Sequence, residues 1–151
     1  MPSQFADLQQ LHQSVEKEMD VTLFTVLGIT HRGRTMTRLY SSHPHDYPVG
    51  STKRIDVDVS PEWVNACLEH QQPYLGVTAT DVARIFADSA LIRSLGCEAS
   101  INAPVVKDGV TLGVLNILGP ENAYGEREVH TAARLAARSA MAVAKASREL
   151  R

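Results

Sequence analysis

The stretch Ser100–Leu118, SINAPVVKDGVTLGVLNIL, reads as two apolar strands folded back on one another. Ile101–Val106 and Val110–Leu118 are joined through Lys107, Asp108 and Gly109. Asp-Gly between two such runs is the composition of a tight hairpin, whose central residues must take positive φ. Pairing Lys107 with Val110 puts Ile101, Ala103, Val105, Leu112, Val114 and Asn116 on one face, with Asn102, Pro104, Val106, Leu115 and Ile117 on the other. Both faces are apolar, so the sequence predicts that both are covered.

Downstream, Glu126 and Glu128 stand in the first turn of a helix expected over residues 125–150, whose later charges are Arg134, Arg138, Lys145 and Arg148, as the helix dipole favours. Val129, Ala133, Ala136, Ala140, Val143 and Ser147 form a stripe of mostly small residues along it, which suits helix against helix across a two-fold axis. Upstream, Pro73–Leu95 resists regular assignment: Tyr74–Val77 is a candidate short strand, and Asp81–Phe86 and Ser89–Leu95 look like short helical turns of a segment covering a sheet face. Ser60, Pro61 and Glu62 offer an N-cap, a proline at the first helical position and an early acid, predicting a helix to about His70. His43–Ile55, with Pro44, Pro48 and Gly50, reads as a surface loop. Val21–Thr30 and Met36–Ser42 flank the turn His31-Arg32-Gly33-Arg34 as a further hairpin, and an amphipathic helix carrying Phe5, Leu8, Leu11, Val15 and Met19 opens the chain.

The expected architecture is α+β: a central antiparallel sheet over residues 21–118, a terminal-helix layer built from residues 1–19 and 125–150 on one face, and a covering segment on the other. The 151 residues suit one domain, which at this length needs neither disulfides nor a structural metal. Fifteen Lys+Arg are matched by 17 Asp+Glu, for a net charge of -2, which disfavours a nucleic-acid partner bound through its phosphates. No run is long enough to span a bilayer, and the two cysteines lack zinc-type spacing, so a cytoplasmic protein with reduced thiols and no membrane partner is expected.

The hairpin, with Pro104 on its first strand, the turn Gly109, and Gly113-Val114-Leu115 on its second, resembles the signature hairpin of GAF domains. Tyr124-Gly125-Glu126-Arg127-Glu128 before a terminal helix is similar to the same family, and element order extends the likeness over nearly the whole chain. The resemblance implies a GAF/PAS-like sheet with a ligand pocket on one face, roofed by the irregular segment, and a dimer-forming helical layer on the other. It implies a class of function without one ligand: members bind cyclic nucleotides, tetrapyrroles or other small effectors, and the cofactor here is open. Asn116 is followed by Ile117 rather than Lys, which departs from the cyclic-nucleotide pattern; Cys67 and Cys97 are followed by Leu68 and Glu98, unlike a bilin-attaching Cys before His.

The expectation is a sensory or regulatory small-molecule-binding domain, homodimeric through its terminal helices and acting on a separate signalling partner. One alternative is a ligand-free dimerisation or scaffold module. The other is a thiol enzyme resembling free methionine-(R)-sulfoxide reductase, with Cys97 as the candidate nucleophile and Cys67 on an apolar helical stripe. Candidate ligand contacts are the polar and aromatic residues set among apolar neighbours: Tyr40, Trp63, Tyr74, Thr78, Phe86, Cys97, Asn102 and Asn116. An amide inside an apolar strand is costly without a partner, which singles out Asn102 and Asn116, expected on opposite faces. His43 and His45 have metal-ligand types at close spacing but no third ligand, and no metal is assigned.

Overall fold

The opening helix α1 spans Leu8–Glu18 and is capped by Asp7, whose carboxylate accepts from the Gln10 N–H at 2.9 Å. The computed structural model describes residues 3–30 and 33–150; His31 and Arg32 of the expected first turn lie outside the described residues. Strands β1 (Leu23–Thr30) and β2 (Thr35–Ser41) form the first hairpin, and β5 (Ala99–Lys107) and β6 (Val110–Gly119) the second. With β3 (Thr52–Arg54) and β4 (Tyr74–Gly76) they make a six-stranded antiparallel sheet in the order β3-β2-β1-β6-β5-β4. β3 lies inside the stretch expected to be loop; its three residues pair with Thr35–Thr37 and escape any periodicity reading by being so short.

Between β3 and β4, α2 (Pro61–Trp63) starts where expected, Ser60 Oγ accepting from the Trp63 N–H at 3.2 Å, and continues as a π-helical turn over Val64–Glu69. Helices α3 (Ala79–Ile85) and α4 (Ser89–Ser94) complete the irregular segment. A bridge between Val59 and Phe86, with Ser60 N–H donating to the Ile85 carbonyl at 3.1 Å, ties the start of α2 to the end of α3 and closes the cover into one piece.

The expected single terminal helix is two: α5 (Glu126–Ala137) and α6 (Ala140–Glu149). Buried Ser139 donates back to the Leu135 carbonyl at 2.7 Å. The carbonyls that the break frees are used by the amino terminus: Arg138 O accepts from the Phe5 N–H at 2.9 Å, and Ala137 O from Gln4 Nε2 at 3.1 Å. The break also spends the small-residue stripe inside the chain, since Ala136 and Ala140 are buried in one cluster with Phe5, Leu8, Leu11 and Ile101.

The core is two clusters, one on each sheet face. On the helical face, Ile101, Ala103, Val105, Leu115 and Ile117 pack with α1, α5 and α6. On the other, Leu23, Leu27, Met36, Val114 and Leu118 pack under Trp63, Ile85, Phe86 and Ile92 of the cover. This overturns the expected partition of the second hairpin. Lys107 does pair with Val110 and Val106 with Thr111, but Val105 pairs with Gly113, so Leu112 is an extra residue. Side chains alternate with a period of two, so one inserted residue exchanges the faces of everything beyond it.

Candidate functional site

The exchange brings Asn102 and Asn116 together as direct cross-strand partners on the covered face, correcting the expectation that they point apart. Asn102 Nδ2 donates to Asn116 Oδ1 at 2.7 Å, and Asn116 Nδ2 donates to Thr25 Oγ1 at 3.1 Å, a buried polar chain crossing three adjacent strands. It borders a cavity of about 30 Å³ between sheet and cover. Leu23, Leu27, Met36 and Leu118 line it from the sheet, Trp63 and Phe86 from the cover. That space holds one or two waters, so a larger guest must move side chains or lift the cover.

One end of the cavity is charged. Arg38, Tyr47, Lys53 and Asp88 line both the cavity and an outer cleft of about 300 Å³, and so stand between the interior and solvent. Asp88 Oδ2 accepts from Tyr47 Oη at 2.8 Å, and Asp88 Oδ1 from Lys53 Nζ at 3.0 Å. Arg38 is 5% exposed; its guanidinium lies 4.8 Å from the centre of the Tyr47 ring and donates to Ser51 Oγ. Burial pulls the Arg38 guanidinium below its usual range against the opposing pull of Asp88, and burial together with Asp88 pushes the Tyr47 phenol up, so the phenol keeps its proton at neutral pH.

Burial alone would raise the Asp88 pKa, but the Lys53 ammonium and the Tyr47 hydroxyl outweigh it and hold the carboxyl below its ordinary value. A carboxyl depressed in the folded state stabilises above its unfolded pKa of about 4 and loses that contribution as pH falls through the folded value. Asp88→Asn should therefore flatten the loss of stability between about pH 5 and about pH 2 in acid titrations followed by circular dichroism. An unchanged slope would mean that the Lys53–Asp88–Tyr47 cluster contributes nothing.

Among the described residues, four buried side-chain polar atoms lack a hydrogen-bond partner: Arg38 Nε, Trp63 Nε1, Asn102 Oδ1 and Ser100 Oγ. The first three belong to residues that line the cavity. Unpaired buried polar groups are rare because each costs its desolvation. Two donors and one acceptor are thus left unpaired on residues that line one void.

Of the eight expected contacts, Trp63, Phe86, Asn102 and Asn116 line the cavity, and Tyr40, Tyr74, Thr78 and Cys97 are not among its lining residues. Tyr40 sits in the helical layer, sharing a 2.8 Å hydrogen bond with His12 Nδ1. A bulge puts it there: Val26 pairs with Tyr40 and Leu27 with Arg38, so Leu39 is the extra residue, and strict alternation with Met36 fails beyond it. Tyr74 lies at the sheet edge, its hydroxyl accepting from Arg84 at 3.3 Å, and Thr78 caps α3. Arg38, Lys53, Tyr47, Asp88 and Thr25 were not anticipated. The one available signal was Arg38 two residues after Met36 on a strand, a cation on the side that should be apolar.

Both cysteines are buried and free; Cys67 Sγ contacts the Asn102 carbonyl at 3.7 Å. Burial pushes the Cys67 thiol up to about 12 and the Cys97 thiol up to about 11, which leaves almost no thiolate at neutral pH. Labelling with a disulfide reagent at neutral pH should therefore be slow in the native protein and fast in denaturant. Rapid stoichiometric labelling of Cys97 in the native state would reopen thiol chemistry.

His43 Nδ1 shares a 2.8 Å hydrogen bond with Ser42 Oγ, His45 is exposed, and among the described residues no three His, Cys, Asp or Glu side chains are placed to hold a metal ion. No helix among the described residues is long and apolar enough to cross a membrane.

A family model described as GAF domain matches residues 8–143. No curated protein matches the chain. Similar solved structures include a GAF domain/HD domain protein from Geobacter sulfurreducens, with a TM-score of 0.73, 13% identity, and coverage of 93% of this chain and 91% of that one. The GAF domain of a two-component sensor histidine kinase from Bacillus halodurans has a TM-score of 0.70 and 14% identity, with 95% of both chains covered. A red/green cyanobacteriochrome, NpR6012g4, in its red light-absorbing state has a TM-score of 0.69 and 12% identity, covering 95% of this chain and 96% of that one. At such identities these structures speak for the fold alone.

Proposed function

The chain belongs to the GAF domain family, and from that premise we propose that it is a sensory or regulatory module whose effector occupies the cavity beneath the cover and whose output passes to a partner protein. The observation carrying this reading is the set of unpaired atoms, Arg38 Nε, Trp63 Nε1 and Asn102 Oδ1, on residues around one void. A cavity serving packing alone has no use for them. The signalling role is carried over from the family and from relatives such as the sensor histidine kinase domain. The coupling is mechanical: the cavity is too small for a guest unless the cover moves, and the short elements α2, α3 and α4 are the part that would have to shift.

A metabolite thermal-shift screen tests this. An effector at a hundred times its dissociation constant adds about 2.7 kcal/mol, which should raise the unfolding midpoint by roughly 5 to 10 °C. The ligand-free scaffold has one observation in its favour, the small free volume of about 30 Å³. It predicts no stabilisation by any metabolite, and a blank screen together with native mass spectra free of any adduct would decide for it.

A further inference from the structure

The geometry points to a short organic hydroxy acid as the effector, a monoanion held by its carboxylate on Arg38 with its compact apolar body against Trp63 and Phe86. This rests on the reading of the cavity as an effector site. A guanidinium that is 5% exposed needs compensation, because a buried charge is expensive unless paired and hydrogen-bonded. The chain supplies Arg38 with the Ser51 hydroxyl and the face of Tyr47, both neutral, and leaves Nε without a partner. No carboxylate among the described residues forms an ion pair with it. Asp88, the acid that lines the cavity, spends one oxygen on Lys53 and the other on Tyr47.

The lining charges are thus two cations and one anion, a surplus of a single positive charge. A monoanion cancels it, a neutral guest leaves the surplus in place, and a cation makes matters worse. Trp63 Nε1 is a second unpaired donor, suited to a carboxylate or hydroxyl oxygen, whereas Asn102 Oδ1 is an unpaired acceptor and asks the guest for one O–H. The remaining walls, Leu23, Leu27, Met36, Phe86 and Leu118, are apolar and take a branched alkyl body. Because the cover must shift to admit any guest, a short body asks the least displacement of it.

Trp63 is the one tryptophan in the chain, so its indole N–H gives a single cross-peak in a nitrogen-edited proton spectrum and reports on the cavity directly. We would titrate the protein with α-hydroxyisovalerate, with isovalerate, which lacks the hydroxyl, and with α-hydroxyisovaleramide, which lacks the charge. Expected is a saturable shift of the Trp63 peak with the hydroxy acid, binding about three-fold or more weaker without the hydroxyl, and at least about ten-fold weaker for the amide. Arg38→Met should abolish the preference for acid over amide; if that variant does not fold, Arg38→Lys, which keeps the charge and loses the fork, should weaken the acid selectively. The acid and amide arms on the unaltered protein decide the matter even if neither variant folds.

An amide binding as tightly as the acid would overturn the anion while leaving an effector cavity, and indifference to the hydroxyl would overturn that half of the proposal. If none of the three moves Trp63 but a different metabolite from the thermal-shift screen does, the chemical class is wrong and the sensory reading survives. If nothing moves Trp63, both fail.

Discussion

Gly113→Ala is expected to cost at least about 3 kcal/mol, or to prevent folding altogether. Gly113 faces Gly28 across the central pair of strands, β1 and β6, and a Cβ at position 113 would be driven into the Leu27 carbonyl oxygen, with Gly28 Cα 3.3 Å away. Both obstacles are backbone atoms of a paired strand, so no rotamer change relieves the clash; the strands must part. Gly109→Ala is the useful comparison. Gly109 sits in the hairpin turn at φ +77° with nothing near its would-be Cβ, so the substitution meets only the left-handed backbone penalty of about 1 kcal/mol. Urea unfolding of the two variants should therefore separate widely. If Gly113→Ala unfolds at the parental midpoint, the pairing of Gly28 with Gly113 is wrong, and with it the register that sets Asn116 opposite Thr25.

That register also marks where the sequence stopped being readable. Features fixed by neighbouring residues were legible: the Asp108-Gly109 hairpin, the Ser60 cap, the acidic first turn of α5 at Glu126 and Glu128, and a cover made of one short strand and two short helices. Each depends on contacts within a few positions, where residue type dictates geometry. Bulges do not work that way. The extra residues Leu112 and Leu39 are tolerated because Leu112 packs against the helical layer and Leu39 fills the space over Gly28, and both supports come from remote parts of the chain. Two insertions then misdirected two of the expected contacts. Asn116 left the side of Val105 and joined Asn102, and Tyr40 left the side of Arg38 for the helices. Trp63, Phe86 and Asn102 line the cavity because the first two lie on the cover and Asn102 precedes the bulge, where alternation still holds; Asn116 reaches it through the bulge. Arg38 escaped notice for a different reason: a lone cation on a strand is ordinarily a solvated one, and its burial depends on Tyr47 and Ser51 in a stretch that looked like plain loop.

The second large effect is Asn116→Leu, expected to destabilise by about 2 to 4 kcal/mol although leucine has the same branched outline of four heavy atoms as the amide. The loss lies in what is left behind. Asn116 accepts from Asn102 Nδ2 and donates to Thr25 Oγ1, and all three residues are buried, so removing the middle member strands a donor and an acceptor with no water to replace it. Removing the dependants as well should recover much of the cost. The double variant Asn102→Leu/Asn116→Leu also deletes the already unpaired Asn102 Oδ1, and replacing both partners of a buried hydrogen bond by apolar groups is far cheaper than replacing one. Denaturant unfolding should thus find the double variant more stable than Asn116→Leu alone, a negative interaction term that simple loss of packing cannot produce. The comparison bears on the proposed function because the chain Thr25–Asn116–Asn102 holds the amide of a cavity-lining residue with its nitrogen engaged and its oxygen unpaired. An apolar pair at these positions would make a firmer sheet with no acceptor for a ligand hydroxyl. A natural sequence that keeps two buried amides, one of them half satisfied, is carrying a cost that the fold alone does not require. If the double variant is as unstable as the sum of its singles, the amides are independent packing elements, and that argument for a polar guest falls with them.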